Sequence, residues 1–472
     1  MIEPRTLFPA LLCLLAMPLV SQVHISGDVA NAPDSAVASL TFYNNTIEYD
    51  EITAATAQLD GNGHFAFSIP WEAARPASMT IAEQYTRVFL SPGDSLHLSV
   101  DYERFDSTLH YNGAGAEANN YMAADVLGAF QRAASAYMAF SDGNAYKLFV
   151  DSVERLSNAL WQRYDRPGIS QAFRDYIRPE LQYRFVNPRY MFQIGYDQEK
   201  KKFYTKEVPP GYFDFLATID RDDQAAADNG TYALALNRSL GTLHDSKHER
   251  SDSIPEEEQT KALVRRNYNY RKSIFTGKVL DHQLTSFMKD QMERNSIPPS
   301  FLDSLLEDFS TVCRNPDFVA IINRLHERSQ RVAPGQAAPE ATLVDSTGQE
   351  VTLSAYRGKV VYIDFWATWC APCMVSLPKS HALAEEYKCR SDVAFLFVNV
   401  NDTPKRWRNF LHKEHRPGQH LYADETRSNR MRKEYNFDGI PHYVLLDQEG
   451  RFINSNVRGA EAAKPLIEEA LK

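Results

Sequence analysis

The sequence predicts a multidomain chain: a small β-sandwich, a mostly α-helical region, and a C-terminal α/β domain with a mixed sheet. Three observations carry this reading. Short runs with period-two patterning fill the stretch up to Asn112. From there to about Gln330 the apolar period becomes helical, and after the Pro/Ala/Gly linker "RVAPGQAAPEA" (Arg331 to Ala341) strand-like and helix-like runs alternate. At 472 residues, 43% hydrophobic and 12% aromatic, the chain has material for about two to four packed domains.

The net charge of −10 opposes nucleic acid as a partner, because phosphates select basic surfaces. The charge is also unevenly placed, +1 from Arg331 onward and −11 before it.

The first 22 residues, "MIEPRTLFPALLCLLAMPLVSQ", combine Arg5 with an apolar run from Leu7 to Val20. That run suits a signal-peptide core and is short for a membrane span, which needs roughly 20 residues. Cleavage near Ser21 is expected, with export to the periplasm. An uncleaved leader would instead keep the protein at the membrane. Cys13 is a poor lipidation site, because Leu12 precedes it where bacterial lipoprotein signals carry a small residue.

Residues 23–112 read as the sandwich. The runs "SLTFY", "HFAFSI", "SMTIAE", "RVFLS" and "SLHLSV" are separated by turn chemistry such as Asp60-Gly61-Asn62-Gly63 and Ser91-Pro92-Gly93-Asp94. They hold no catalytic cluster, so a binding or spacer role is expected. Residues 113–330 read as helical, and their many aromatic residues at helical spacing point to core packing. In "HDSKHER" (His244 to Arg250) two histidines share a His-x3-His spacing. Charges surround them and a third ligand is missing, so a solvated loop is expected and no metal.

Residues 331–472 read as "EVTL" strand, "VVYIDFW" strand, a helix from Pro372 to about Tyr387, and "VAFLFVNV" strand. Helices near Lys405 to Lys413 and Ser428 to Tyr435 follow. "HYVLLD" and "RFINSNV" then form a hairpin across Asp447 to Gly450, and a helix from Ala460 closes the chain. The nearly unbroken apolar run before Cys370 suits a central strand covered on both faces.

Within this domain "FWATWCAPCMVSLP" (Phe365 to Pro378) brings Cys370 and Cys373 together. Zinc would need two further ligands at short spacing, and Cys313 and Cys389 are isolated. A purely structural disulfide across two residues would remove little chain entropy. Electron exchange needs neighbouring thiols, one of them acidic. Cys370 follows a buried strand directly, and Pro372 suits a helix start. Its sulfur should lie at the helix N-terminus, where the dipole favours an anion by about 0.3–1 kcal/mol, up to ~2 when partly buried. That lowers a thiol pKa by up to roughly one unit. Cys370 is read as the nucleophile.

"VYIDFWATWCAPC", Pro378 and the later "GIPHYVLLD" resemble the thioredoxin superfamily, in particular the exported TlpA/ResA-like thiol-disulfide oxidoreductases. The resemblance covers roughly Ala333 to Lys472. It implies a thioredoxin-like fold with an extra helix-strand insertion from about Asn401 to Gly439. It also implies that Cys370 attacks, Cys373 resolves, and a cis-proline, Pro441, faces them. Trp369, Ala371, Pro372 and Ile440 flank these positions as substrate-facing residues. The two upstream parts more loosely resemble proteins of the Bacteroidota.

One departure matters. Many TlpA/ResA-like proteins carry glutamate three residues after the second cysteine, where this chain has Ser376. Asp364 occupies the place of the buried acid of thioredoxin itself, and it is read as the proton acceptor for Cys373. The alternative is a satisfied structural Asp.

The expected function is reduction of protein disulfides by the Cys370/Cys373 dithiol, with re-reduction by a membrane thiol donor and no cofactor. Peroxidase chemistry fits poorly, because Ala367 and Thr368 stand at the wrong offsets before Cys370. The rival is a partner-binding or assembly module in which the redox pair is secondary. The upstream regions are expected to position the partner and leave the chemistry alone.

Overall fold

The computed structural model describes residues 21–128, 130, 133, 136–197, 202–244, 255–294, 299–412 and 416–472. The expected leader, apart from Ser21 and Gln22, and the stretch after His244 lie outside them. Among the described residues no helix is long and apolar enough to cross a membrane.

The chain divides into two compact units. One runs through Gly195 and takes in Tyr204–Ile219 and Asn229–Leu240. The other holds Tyr196–Phe203, Asp220–Asp228 and Gly241–Lys472. The helical stretch expected over residues 113–330 is therefore shared between the units and does not form one of its own.

The first unit opens with β1 (Gln22–Ala30), β2 (Val37–Tyr43), β3 (Glu51–Gln58), β4 (His64–Pro70), β5 (Arg75–Ile81), β6 (Gln84–Leu90), β7 (Ser95–Asp101) and β8 (His110–Ala114). They form two four-stranded sheets, β4-β1-β7-β8 and β3-β2-β5-β6. Alternate residues turn inward, as Val23, Ile25 and Val29 do from β1 and Leu96, Leu98 and Val100 from β7. Both sheets share one core, which makes this a sandwich. Gly63, at φ +79°, makes the turn before β4 in a conformation that a side chain would strain. Helices α1 (Ala116–Val126), α2 (Gly143–Tyr164) and α3 (Gln171–Tyr183) follow. Their aromatics pack as core: Tyr121, Trp161 and Phe173 cluster with Phe89 of β6, the Phe89 and Phe173 rings 5.1 Å apart. A partly buried Arg184–Asp125 ion pair at 2.7 Å ties the same region.

Between the helices, β9 (Ile194–Asp197) and β10 (Lys202–Thr205) pair as a two-stranded ribbon inside a stretch expected to be helical. Gly195 is a poor helix former, and the aromatic and β-branched residues of "KFYT" suit a strand. Helix α4 (Gly230–His244) comes next in the chain.

In the second unit, helices α5 (Glu256–Ile274), α6 (Gly277–Arg294), α7 (Pro299–Val312) and α8 (Pro316–Arg331) lead into a seven-stranded sheet. Its strands are β11 (Thr342–Asp345), β12 (Glu350–Thr352), β13 (Val360–Trp366), β14 (Val393–Asn399), β15 (Gln419–Tyr422), β16 (His442–Leu446) and β17 (Phe452–Asn454). The spatial order is β12-β11-β15-β14-β13-β16-β17. β13 and β14 pair in parallel and β13 and β16 antiparallel, so the sheet is mixed. Helices α9 (Ala371–Glu386), α10 (Pro404–Leu411), α11 (Glu425–Glu434) and α12 (Ala460–Ala470) complete the domain.

Every residue of β13 is buried. Its period of two splits the strand between two cores: Val360, Tyr362 and Trp366 join the one that contains Cys370, Cys373 and Leu377, while Val361, Ile363 and Phe365 join the other. The expected linker is pinned for part of its length. Gly335 and Phe452 are bonded N–H to C=O at 2.7 Å, Phe452 N–H donates to Gln336 at 2.8 Å, and Ala337 bridges Arg451.

Candidate active site

β13 ends at Trp366, and α9 begins five residues later with Cys370 as its N-cap. The Cys370 sulfur accepts a hydrogen bond from the Cys373 N–H at 3.2 Å, which places it on an otherwise orphaned donor at the positive end of the helix dipole. Pro372 costs nothing here, because the first N–H groups of a helix have no internal partner. The two sulfurs are joined in a disulfide. Both cysteines are buried, while Ala371, Pro372 and Trp369 are exposed around them, Trp369 by 54%.

Ile440-Pro441 is a cis peptide bond, and the Ile440 carbonyl oxygen lies 3.6 Å from Cys370 Sγ. Pro441 precedes β16, whose His442 is paired in register with Phe365 of β13. The structure thus gathers Cys370, Cys373, Ile440 and Pro441 at one end of the sheet.

Asp364 lies lower on β13, on the face of Tyr362 and Trp366 that packs toward α9. Its side chain is fully enclosed, and neither carboxylate oxygen meets a hydrogen-bond donor at bonding geometry among the described residues. Burial pushes its pKa up to about 7, and the nearby Ser380 hydroxyl offsets only part of that. That hydroxyl is shared with Tyr362 Oη at 3.1 Å. Ser376 points its hydroxyl back along the helix, donating to the Cys373 carbonyl at 3.2 Å.

Some bracing residues were missed from the sequence. Trp369 Nε1 donates to the Asn401 carbonyl at 2.7 Å, and Thr368 N–H donates to Asp402 at 2.8 Å. Asn401 sits at φ +54°, a left-handed conformation that Asn tolerates better than most residues. The only signal for this brace was the pair Asn401-Asp402 directly after a strand. Among the described residues no group of three or more His, Cys, Asp or Glu side chains could hold a metal ion.

Residues 333–471 match the Redoxin family model. The thiol-disulfide oxidoreductase ResA of Geobacillus kaustophilus (strain HTA426) is 35% identical over 119 residues, 25% of this chain and 66% of that protein. ResA of Geobacillus thermodenitrificans (strain NG80-2) is 32% identical over 120 residues, 25% of this chain and 67% of that protein. The chain belongs to the ResA-like thiol-disulfide oxidoreductases. It spans about two thirds of the length of these curated relatives. A solved thiol-disulfide oxidoreductase from Bacteroides fragilis NCTC 9343 is 24% identical, matching 28% of this chain and 98% of that one with a TM-score of 0.27. Membership in this ResA-like family rests on the domain that carries the Cys370–Cys373 disulfide. The sandwich and helices α1–α8 lie outside the matched residues.

Proposed function

We propose that the protein is exported and reduces protein disulfides with the Cys370/Cys373 dithiol. The observation that carries this reading is the Cys370 sulfur on the Cys373 N–H at the start of α9, with an enclosed carboxyl, Asp364, on the strand beneath. The Cys370 thiolate attacks one sulfur of the substrate disulfide. A Cys370–substrate bond forms, and the leaving sulfur takes up a proton from water. Cys373 then gives its proton to Asp364 and attacks Cys370, releasing the second substrate sulfur as thiolate. The substrate gains two electrons, and Cys370 and Cys373 end as a disulfide. A membrane dithiol reverses the same steps to restore the pair, and no other cofactor is required.

The exposed Trp369, Ala371 and Pro372 form the near wall for the substrate. The backbone at Ile440 offers an edge on which an extended segment can pair. Redox titration of Cys370/Cys373 tests the direction. A potential of about −250 mV or lower supports reduction, and one of about −120 mV would make the protein an oxidant.

A further inference from the structure

The loop that carries Ile440 and Pro441 is held from outside the sheet as well as from within it. The last turn of α6 reaches it. Lys289 Nζ lies 2.6 Å from Glu293 Oε1, four residues on, and 3.7 Å from Asp438 Oδ2. The Glu293 carbonyl accepts a hydrogen bond from Asn456 Nδ2 at 3.0 Å, so the same turn also grips the segment after β17. From the other side Arg432 of α11 donates to the Asp438 carbonyl at 3.0 Å, and the Arg432 carbonyl accepts from Phe437 N–H at 3.0 Å.

The charges fit this arrangement. Burial and a hydrogen bond with Asp438 raise the Glu293 pKa. Burial would raise that of Asp438 too, but the bond with Glu293 and the charges of Lys289, Arg328 and Arg432 hold it below its usual value. Two carboxyls that share a site repel one another, and a cation beside them eases that repulsion, which is the place Lys289 takes. Asp438 is two residues from Ile440, at most about 7 Å of chain. The anchor at Asp438 therefore limits where the Ile440 carbonyl can stand, and it stands 3.6 Å from Cys370 Sγ.

We propose that Lys289 and Glu293 are positioning residues for disulfide exchange: α6 sets the Asp438–Pro441 loop at the height where the Ile440 backbone meets an extended substrate. The helical residues before the linker thereby complete the substrate groove, while the exchange itself stays with the cysteine pair. This rests on the reductase reading above.

The test uses the full chain and two substrates. One is a peptide disulfide within an extended segment, and the other is Ellman's reagent, too small to lie along the loop. Lys289→Met should raise KM for the peptide about tenfold, with kcat and the rate on Ellman's reagent changed by less than about twofold. Lys289→Arg should restore most of the peptide KM. If Lys289→Met does not fold, Asp438→Ala removes the same contact and should give the same split. An unchanged peptide KM, or equal losses on both disulfides, overturns the proposal. Failure of the unaltered chain to turn over either substrate overturns the reductase reading, and the proposal with it.

Discussion

The Ser376 hydroxyl donates to the Cys373 carbonyl at 3.2 Å, one turn back on the helix that both residues share. A hydroxyl committed to its own backbone has little to offer the resolving thiol, and it is no base at neutral pH. Ser376→Ala should leave disulfide exchange nearly unchanged. Asp364→Asn should slow resolution of the mixed disulfide, with about 10²–10⁴-fold as the ceiling for a lost general base. Acid-quenched samples from pH 6 to 8 would show the mixed disulfide accumulating. Equal resolution rates for Asp364→Asn and the unaltered chain would reduce Asp364 to a structural residue.

Asp364 also makes stability depend on pH. Its native pKa, about 7, lies above the ordinary value of 3.8. The native state therefore holds the proton more tightly than the unfolded chain. Stability from this group is highest below pH 4, falls as pH rises from about 4 to 7, and is level above that. The span of about three units corresponds to as much as ~4 kcal/mol. In the oxidised protein the melting temperature should fall between pH 5 and pH 8, and Asp364→Asn should flatten that fall. An unchanged pH slope in the variant would remove the enclosed carboxyl as its source.

Removing the Ser380 hydroxyl leaves the buried Tyr362 hydroxyl without the partner it has at 3.1 Å. Ser380→Ala should cost about 1–3 kcal/mol in chemical denaturation. It should also raise the Asp364 pKa further, because the one group that offsets burial is gone. Infrared titration of the carboxyl reads the second effect independently of the first. A lower pKa in the variant would contradict the assignment.

After reduction, alkylation at neutral pH should label Cys370 well before Cys373. Its sulfur sits at the helix start with a backbone donor, whereas Cys373 lies one turn into the helix and is more fully enclosed. Exposed Cys389 will react too and provides an internal reference. Mass spectrometry of early time points decides, and earlier labelling of Cys373 would reverse the assigned roles.

The parts of the fold that were legible are those whose signal is local. β13 announces itself because seven consecutive buried positions need an apolar run, and α9 because Pro372 and the strand end fix its start. Cys370 and Cys373 fall together for the same reason. The strands β11 and β15 were harder. Each has four residues, and their pairing of Val344 with Tyr422 joins positions far apart in the chain. The brace from Asn401 to Trp369 depends on a backbone carbonyl, which carries no residue-type signature. Helices α5–α8 read correctly as helices, yet periodicity says which face of a helix is apolar and not which domain covers it. Lys289 and Asp438 could not be connected from the sequence for that reason.

The stretch from Gly335 to Ala338 runs along the outer side of β17, the last strand of its sheet, and satisfies Phe452 on both its N–H and its C=O. A row of free backbone groups on an edge strand is a template for pairing with a second molecule. These few residues act as a guard rail. A shortened protein that begins at Ala341 would keep the dithiol and all seven strands but lay that edge bare, and it would be prone to associate edge to edge. Beginning ten residues earlier, at Arg331, keeps the edge covered.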